Sequence, residues 1–196
     1  MQNKRVAFLE RLSALRVRML RQSASMHGIQ TIHAEIMEYL SRCNKYSNTA
    51  QALSEYLGVT KGSISQSLKT MEKNGVIVRE KRAEDKRYIR IFLTDKGAKM
   101  LRDLHHDIPL MPKLDVMTED GLQHTLRQWQ YENDLRSFGL CRTCRFNENG
   151  KGNKFRCGLT GEALTISDTK KICREHTFAD PASAENQRLR IKSSAI

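Results

Sequence analysis

The sequence predicts a mostly α fold with a small β-hairpin (α+β), followed by a short segment that needs a metal to hold its shape. Three observations predict it. Apolar residues recur at helical spacing through most of residues 4–137. One β-branched stretch, Val76-Ile77-Val78, and one alternating stretch, Tyr88 to Leu93, flank a charged run. From Cys141 onward the chain turns polar and glycine-rich and holds four of its five cysteines. Composition therefore divides the chain into residues 1–140, residues 141–178 and a polar, aperiodic end over 179–196 that is expected to be flexible. A length of 196 residues is enough for one domain with a good core plus an appendage.

Residues 4–22 read as a helix, with Phe8, Leu12, Leu15 and Met19 on one stripe and Arg5, Arg11, Arg16 and Arg18 on the other face. Residues 29–42 read as the next, with Ile29, Ile32, Ile36 and Leu40 inward, and Cys43 after its end as a buried small residue. A short helix follows, with Asn48 as the expected N-cap and Gln51 completing a capping box. Its apolar face is Ala52, Leu53, Tyr56 and Leu57. Gly58-Val59 makes a tight turn, and Thr60 caps a second short helix with its hydroxyl. In that helix Ile64, Leu68 and Met71 face the core, while Lys61, Ser63, Gln66, Lys69 and Thr70 face away, flanked by the small Ser65 and Ser67. Asn74-Gly75 ends it with residues that tolerate positive φ. The hairpin comes next. Val76–Val78 forms one strand. In the return strand Ile89, Ile91 and Leu93 share a face opposite Tyr88, Arg90 and Phe92. Arg79 to Arg87 between them holds five basic residues against three acidic ones.

Two capped short helices, a tight turn and a basic hairpin, in that order, are the parts of a winged helix-turn-helix, a module that reads duplex DNA. Short hydroxyls, an amide and two lysines on one helix face suit base edges and phosphates. The charge agrees. Residues 1–100 hold 19 Lys/Arg and 9 Asp/Glu, net +10, within a chain of net +12. Such a surface favours polyanions and loses affinity steeply with salt.

The stretch also resembles the MarR family of bacterial transcription regulators, over about the first 140 residues. Asp85-Lys86-Arg87 matches the family's Asp-x-Arg wing motif, and Leu93-Thr94-Asp95-Lys96-Gly97 matches its return to helix. The run from Leu68 to Gly75 is similar to the end of its recognition helix. The resemblance implies a homodimer, built by the helices flanking the winged helix, that binds pseudo-palindromic operators, mostly as a repressor. It implies that Arg87 reaches the minor groove and that Asp85 holds the wing in shape. Small effectors of such proteins bind between the dimer interface and the DNA module, but no residue set here identifies one. The DNA-contacting residues expected from motif and resemblance together are Thr60, Lys61, Ser63, Ser65, Gln66, Lys69, Arg82, Asp85 and Arg87.

After the hairpin a helix is expected from Thr94 to about Asp107, stopped by Pro109 and Pro112, and another from about Thr118 to Ser137 with Leu122, Leu126 and Trp129 on a stripe. The segment beyond them reads Cys141-x2-Cys144-x12-Cys157-x15-Cys173, with His176 after two more residues. It is too short and too polar for a real core, and a tetrahedral thiolate site would crosslink its loops. Cys-x2-Cys is the spacing at which two sulfurs of one tight turn reach a single ion. Cys141, Cys144, Cys157 and Cys173 are the expected ligands, with His176 an alternative fourth ligand or an outer donor. Zinc is the expected metal. An iron–sulfur cluster is the alternative, since it too takes four thiolates, although the compact ferredoxin spacing is missing. A reversible thiol switch is a third possibility, favoured by Arg142, Arg145, Arg156, Lys171 and Arg174.

The expected function is a homodimeric, sequence-specific, DNA-binding transcription repressor whose four-cysteine metal site stabilises the dimer or senses metal or redox state. A rival reading makes the cysteine segment a zinc-dependent module for protein or RNA, with Phe146, Phe155 and Phe178 stacking bases, on a ligand-responsive DNA-binding protein. An enzyme is not expected: the sequence shows no phosphate loop, nucleophile elbow or open metal site. With no membrane-length apolar run and no uninterrupted apolar stretch in MQNKRVAFLERLSALRVRML, the expected location is the cytoplasm. There the cysteines are reduced or metal-bound.

Overall fold

In the computed structural model, residues 4–81, 89–108, 119–132, 135–150 and 154–178 are described. The chain forms two units: Met1–Ser41 with Asn48–Lys113, and Arg42–Ser47 with Leu114–Ile196. The sequence divided the chain by composition at residue 140. By backbone contact the last long helix and residues 42–47 group with the cysteine-rich segment.

Among its described residues the first unit is helical apart from one hairpin. It contains α1 (Lys4–Met26), most of α2 (Thr31–Arg42), α3 (Ala50–Leu57), α4 (Lys61–Lys73), the antiparallel strands β1 (Ile77–Lys81) and β2 (Ile89–Leu93), and α5 (Asp95–His106). Ile36, Met37, Tyr39, Leu53, Ile64, Leu68, Met71, Ile91 and Leu104 are its fully buried centre. The rings of Tyr39 and Tyr56 tilt against one another at 4.7 Å. Beside them the buried Glu38 carboxylate pairs with Arg16 and, at 2.9 Å, with His105 Nε2, which ties α1, α2 and α5 together.

Of the expected α1 stripe, Leu12 is 41% exposed and Leu15 and Met19 are half-buried, while the residues that α1 buries among those described are Leu20, Ser23 and Ala24, near its end. There Ser23 Oγ donates to the Leu104 carbonyl at 2.9 Å and so fixes α1 to α5. The side chain of Phe8 lies outside the described residues.

The cap of α3 is Thr49 and not Asn48. Thr49 Oγ1 accepts the Ala52 amide at 3.2 Å. Asn48 is buried, and its carbonyl accepts the Ile91 amide at 2.8 Å, so it links the helix pair to the hairpin. Thr60 caps α4 as expected, accepting from Ser63 N at 3.2 Å. Gly58 adopts φ 66°, the left-handed conformation that lets the chain leave α3 and enter α4 within three residues.

The hairpin ladder runs further than expected, from Ile77↔Leu93 to Lys81↔Ile89. Arg79, Glu80 and Lys81 therefore belong to the strand and not to the loop. Pairing continues because their backbone finds partners in β2 whatever their charge. Arg79 also reaches Glu72 Oε2 of α4 at 3.3 Å.

The Leu93–Gly97 run has a local explanation. Thr94 Oγ1 caps α5, accepting from Gly97 N at 3.1 Å and donating to the Gly75 carbonyl at 2.6 Å. Lys96 Nζ donates to the Asn74 carbonyl at 2.8 Å. Gly97 is packed so tightly that a Cβ there would stand 2.2 Å from the Val76 carbonyl oxygen. Gly97→Ala is accordingly expected to push α5 off β1 at a cost of about 1–3 kcal/mol, read as a lowered urea midpoint with an unchanged slope.

The second unit has α6 (Glu119–Glu132), then five very short strands: β3 (Gly139–Leu140), β4 (Asn147–Asn149), β5 (Phe155–Cys157), β6 (Ala163–Leu164) and β7 (Ile172–Cys173), with the single-turn α7 (Ile166–Thr169) before the last. β3 pairs with β7, and β4-β5-β6 forms a second antiparallel sheet. The expected helix does not reach Ser137, since residues 135–138 are not helical. Leu126 on it is exposed, and the side chain of Trp129 lies outside the described residues. No helix among the described residues is long and apolar enough to cross a membrane.

Candidate functional site

Two surfaces carry chemistry, one on each unit. The first is the outer face of α4. Ile64, Leu68 and Met71 anchor the helix in the core at i, i+4 and i+7. This fixes the opposite face rigidly, and there Thr60, Lys61, Ser63, Ser65, Gln66 and Lys69 are all exposed. Lys61, Ser65 and Lys69 fall four residues apart and form one row, with Gln66 beside it. Thr60 and Ser63 share a hydroxyl–hydroxyl hydrogen bond at 2.9 Å at the N-terminal end, where the helix dipole is positive. Acceptors, donors and two ammonium groups thus project from a helix that cannot easily rotate. Arg82, Asp85 and Arg87, the expected wing contacts, lie outside the described residues.

The second surface gathers the cysteines. Register and turns bring four of them together. In β3–β7 Gly139 pairs with Cys173, and Cys141 follows directly, with its amide on the Lys171 carbonyl at 3.0 Å. A 3-10 turn, Cys141–Thr143, places the Cys144 amide 3.1 Å from the Cys141 carbonyl. The β4–β5 register then sets Cys157 opposite Asn147, whose own amide bonds the Cys144 carbonyl at 3.0 Å. All are free thiols; Cys141 and Cys144 are buried and Cys157 and Cys173 half-buried. Burial pushes the Cys141 thiol up to about 12, and the neighbouring Cys173, Cys144 and Cys157, then Asp168, push the same way. Cys173 is raised by burial, against hydrogen bonds from the Asn44 side chain and the Glu175 backbone that favour its thiolate, and raised again by Cys144 and Cys157. Other donors point at the remaining sulfurs: Thr177 N at 3.5 Å from Cys144 Sγ and Asn147 Nδ2 at 3.8 Å from Cys141 Sγ. As the side chains stand, no group of three or more His, Cys, Asp or Glu among the described residues is arranged to hold a metal ion.

His176 is buried with both ring nitrogens taken: Nδ1 by Ser137 Oγ at 3.1 Å and Nε2 by Thr143 Oγ1 at 2.9 Å. Burial lowers it to about 4, so the ring is neutral. Its edge meets Phe178 at 4.5 Å, and its face lies against Gly139, where a Cβ would come within 2.5 Å of the ring. In this geometry the ring braces the loops around Cys141 and Cys144.

Sequence reasoning missed the residues that hold these side chains in place. Asn147, Asn44 and Ser47 are among them. The one local signal was Asn44-Lys45-Tyr46-Ser47, an Asx-type turn in which Asn44 Oδ1 accepts Tyr46 N at 3.1 Å and Ser47 Oγ at 2.8 Å. Cys43 is buried, and burial pushes its thiol up to about 12.

Comparison with known proteins addresses the first unit. The family model described as the MarR family matches residues 27–87. No curated protein matches the chain in sequence. Among solved structures, the transcriptional regulator PA3341 is 21% identical and covers 67% of this chain and 98% of its own, with a TM-score of 0.54. The S. aureus MepR–DNA complex is 17% identical and covers 65% and 92%, with a TM-score of 0.50. At such identities the likeness shows the fold. The chain therefore shares the winged-helix fold of these proteins, and the similarity to the MarR family model lies over residues 27–87.

Proposed function

We propose that the chain is a sequence-specific DNA-binding transcription regulator, acting as a homodimeric repressor, with a four-cysteine metal site. The observation that carries the DNA reading is the exposed row on α4. A helix locked by Ile64, Leu68 and Met71 presents Lys61, Ser63, Ser65, Gln66 and Lys69 together, the side-chain set that meets phosphates and major-groove edges. The same fold is seen in the MepR–DNA complex. In the dimer two such helices would meet one face of the duplex about one helical turn apart, with Arg87 and Arg82 toward the minor groove. The exposed Leu12 and Val17 on α1 support the dimer, since a partner would cover them. Its place is the cytoplasm, where the free thiols stay reduced.

For the metal, support comes from the convergence of Cys141, Cys144, Cys157 and Cys173 and from the poverty of the core around them. Among the described residues there, the buried apolar ones are Cys43, Cys141, Cys144 and Ile172, few for strands of two and three residues. Zinc would crosslink them, with Thr177 N and Asn147 Nδ2 as donors to the sulfurs. The side chains must close by rotation around it.

A cavity of about 240 Å³ in the first unit, lined by His33, Met37, Met71, Val76 and Met100 among others, is smaller than the ~300–1,000 Å³ of ordinary ligand pockets. It supports no drug-sized effector in this conformation.

The test is binding of random-sequence and selected duplexes across a salt series, by fluorescence anisotropy, on anaerobically purified protein whose metal is counted. Salt-dependent, sequence-biased binding with one zinc per chain is expected. A well-folded preparation with no affinity for any duplex at low salt would refute the DNA reading.

A further inference from the structure

The cysteine segment holds a piece of chain that sequence assigns to the winged helix. Residues 42–47, between α2 and α3, are built into the second unit. Cys43 forms a parallel bridge with Ile172, and the Asn44 amide donates to the Ile172 carbonyl at 2.9 Å. The Arg174 amide donates to Ser47 Oγ at 2.8 Å. Lys45 pairs with Glu162. Ile172 and Arg174 flank Cys173, so both chain neighbours of this cysteine are tied to the loop. Asn44 and Ser47 are themselves joined at 2.8 Å, and Ser47 is fully buried.

The next two residues along the chain are Asn48, whose carbonyl holds the hairpin at Ile91, and Thr49, which caps α3. The chain thus runs directly from the loop bonded to the neighbours of Cys173 into the start of the helix pair. No intervening surface is needed.

We infer that Asn44 and Ser47 are positioning residues that tie the strand of Cys173 to the start of α3, and that through them occupancy of the four-cysteine site sets the DNA affinity of the winged helix. This rests on the four-cysteine reading above. Cys141, Cys144, Cys157 and Cys173 would hold zinc as thiolates, their protons passing to solvent, and the ion would crosslink the segments that carry them. The strand holding Ile172, Cys173 and Arg174 then becomes fixed, and with it the loop and the first turn of α3. Without the ion that strand has few buried contacts and loosens, and α3 loses its firm start.

The experiment uses the full chain, metal-free and zinc-loaded, with a duplex selected by the zinc-loaded protein. Zinc is counted first. A wild-type chain that takes up no zinc ends the four-cysteine reading and this inference with it, before any DNA is added. With zinc bound, removal is expected to weaken duplex binding about tenfold, within the range usual for coupling between sites. The double variant Asn44→Ala, Ser47→Ala is expected to take up one zinc per chain and bind the duplex, while its zinc-loaded and metal-free affinities differ by less than about threefold. A wild-type protein that binds the duplex equally with and without zinc overturns the inference, as does a double variant that keeps the full difference. Hydrogen exchange on the wild-type chain gives an independent reading that no misfolded variant can obscure. The amides of Asn44, Arg174 and the first turn of α3 should exchange faster when zinc is removed, and unchanged rates there would also overturn it.

Discussion

Serine in place of Cys141 or Cys144 is expected to abolish zinc binding and to unfold the segment from Gly139 to Phe178. The expectation follows from how little else holds it. Its strands are two or three residues long, and its buried polar groups, Asn147, Thr169 and His176, contribute hydrogen bonds but little apolar area. Structural zinc in small domains contributes on the order of 10 kcal/mol near neutral pH, far more than a handful of short strands can supply. Metal analysis should fall from one zinc per chain to none, and limited proteolysis should begin cutting between residues 141 and 178. Cys43→Ala is the control. Its thiol is just as buried, but no fifth thiolate is needed, so that variant should keep its zinc and lose only about 1 kcal/mol of stability. Acid should mimic the serine variants. Burial and the three neighbouring thiols make Cys141 a poor acid, so binding zinc must expel tightly held protons, and affinity should fall steeply as pH drops. A Cys141→Ser protein that retains zinc and protease resistance would remove this residue from the ligand set.

What the sequence could and could not disclose follows from the range of the interactions. The helix pair was legible because its determinants lie within one or two turns: Thr60 three residues from Ser63, Gly58 closing α3, and Ile64, Leu68 and Met71 on one stripe. The cap of α3 was misread because Asn48 and Thr49 are both good caps, and the choice was made by Ile91, 43 residues away in β2. The stripe from Leu12 to Met19 had the right period, but a period does not specify what covers it, and in the single chain Leu12 is exposed and Leu15 and Met19 are only half-buried. Cysteine spacing pointed to one cluster, since Cys-x2-Cys is itself local. The choice between His176 and a fourth cysteine was not local. It depends on where Ser137 and Thr143 sit, and in the structure these two hydroxyls occupy both nitrogens of the ring. The tie between Ser47 and Arg174 spans 127 positions in the chain and has no signature in either segment.

The other large effect lies on α4. Lys61→Ala and Lys69→Ala are each expected to weaken binding to every duplex alike, and each should reduce the slope of log affinity against log salt by about 1, because each removes one phosphate contact and the counterion it displaces. Gln66→Ala should behave differently. An amide that reads a base edge contributes only at the preferred sequence, so its loss is expected to cost about 1–3 kcal/mol on the selected duplex, little on random DNA, and nothing in the salt slope. All three side chains are exposed and the buried stripe of the helix is untouched, so melting curves should match the wild type. The contrast between lysine and glutamine is the informative part. Identical losses on selected and random duplexes for all three variants would mean that α4 lies along the backbone and that sequence is read elsewhere. An unchanged salt slope in both lysine variants would mean that this face does not meet DNA at all.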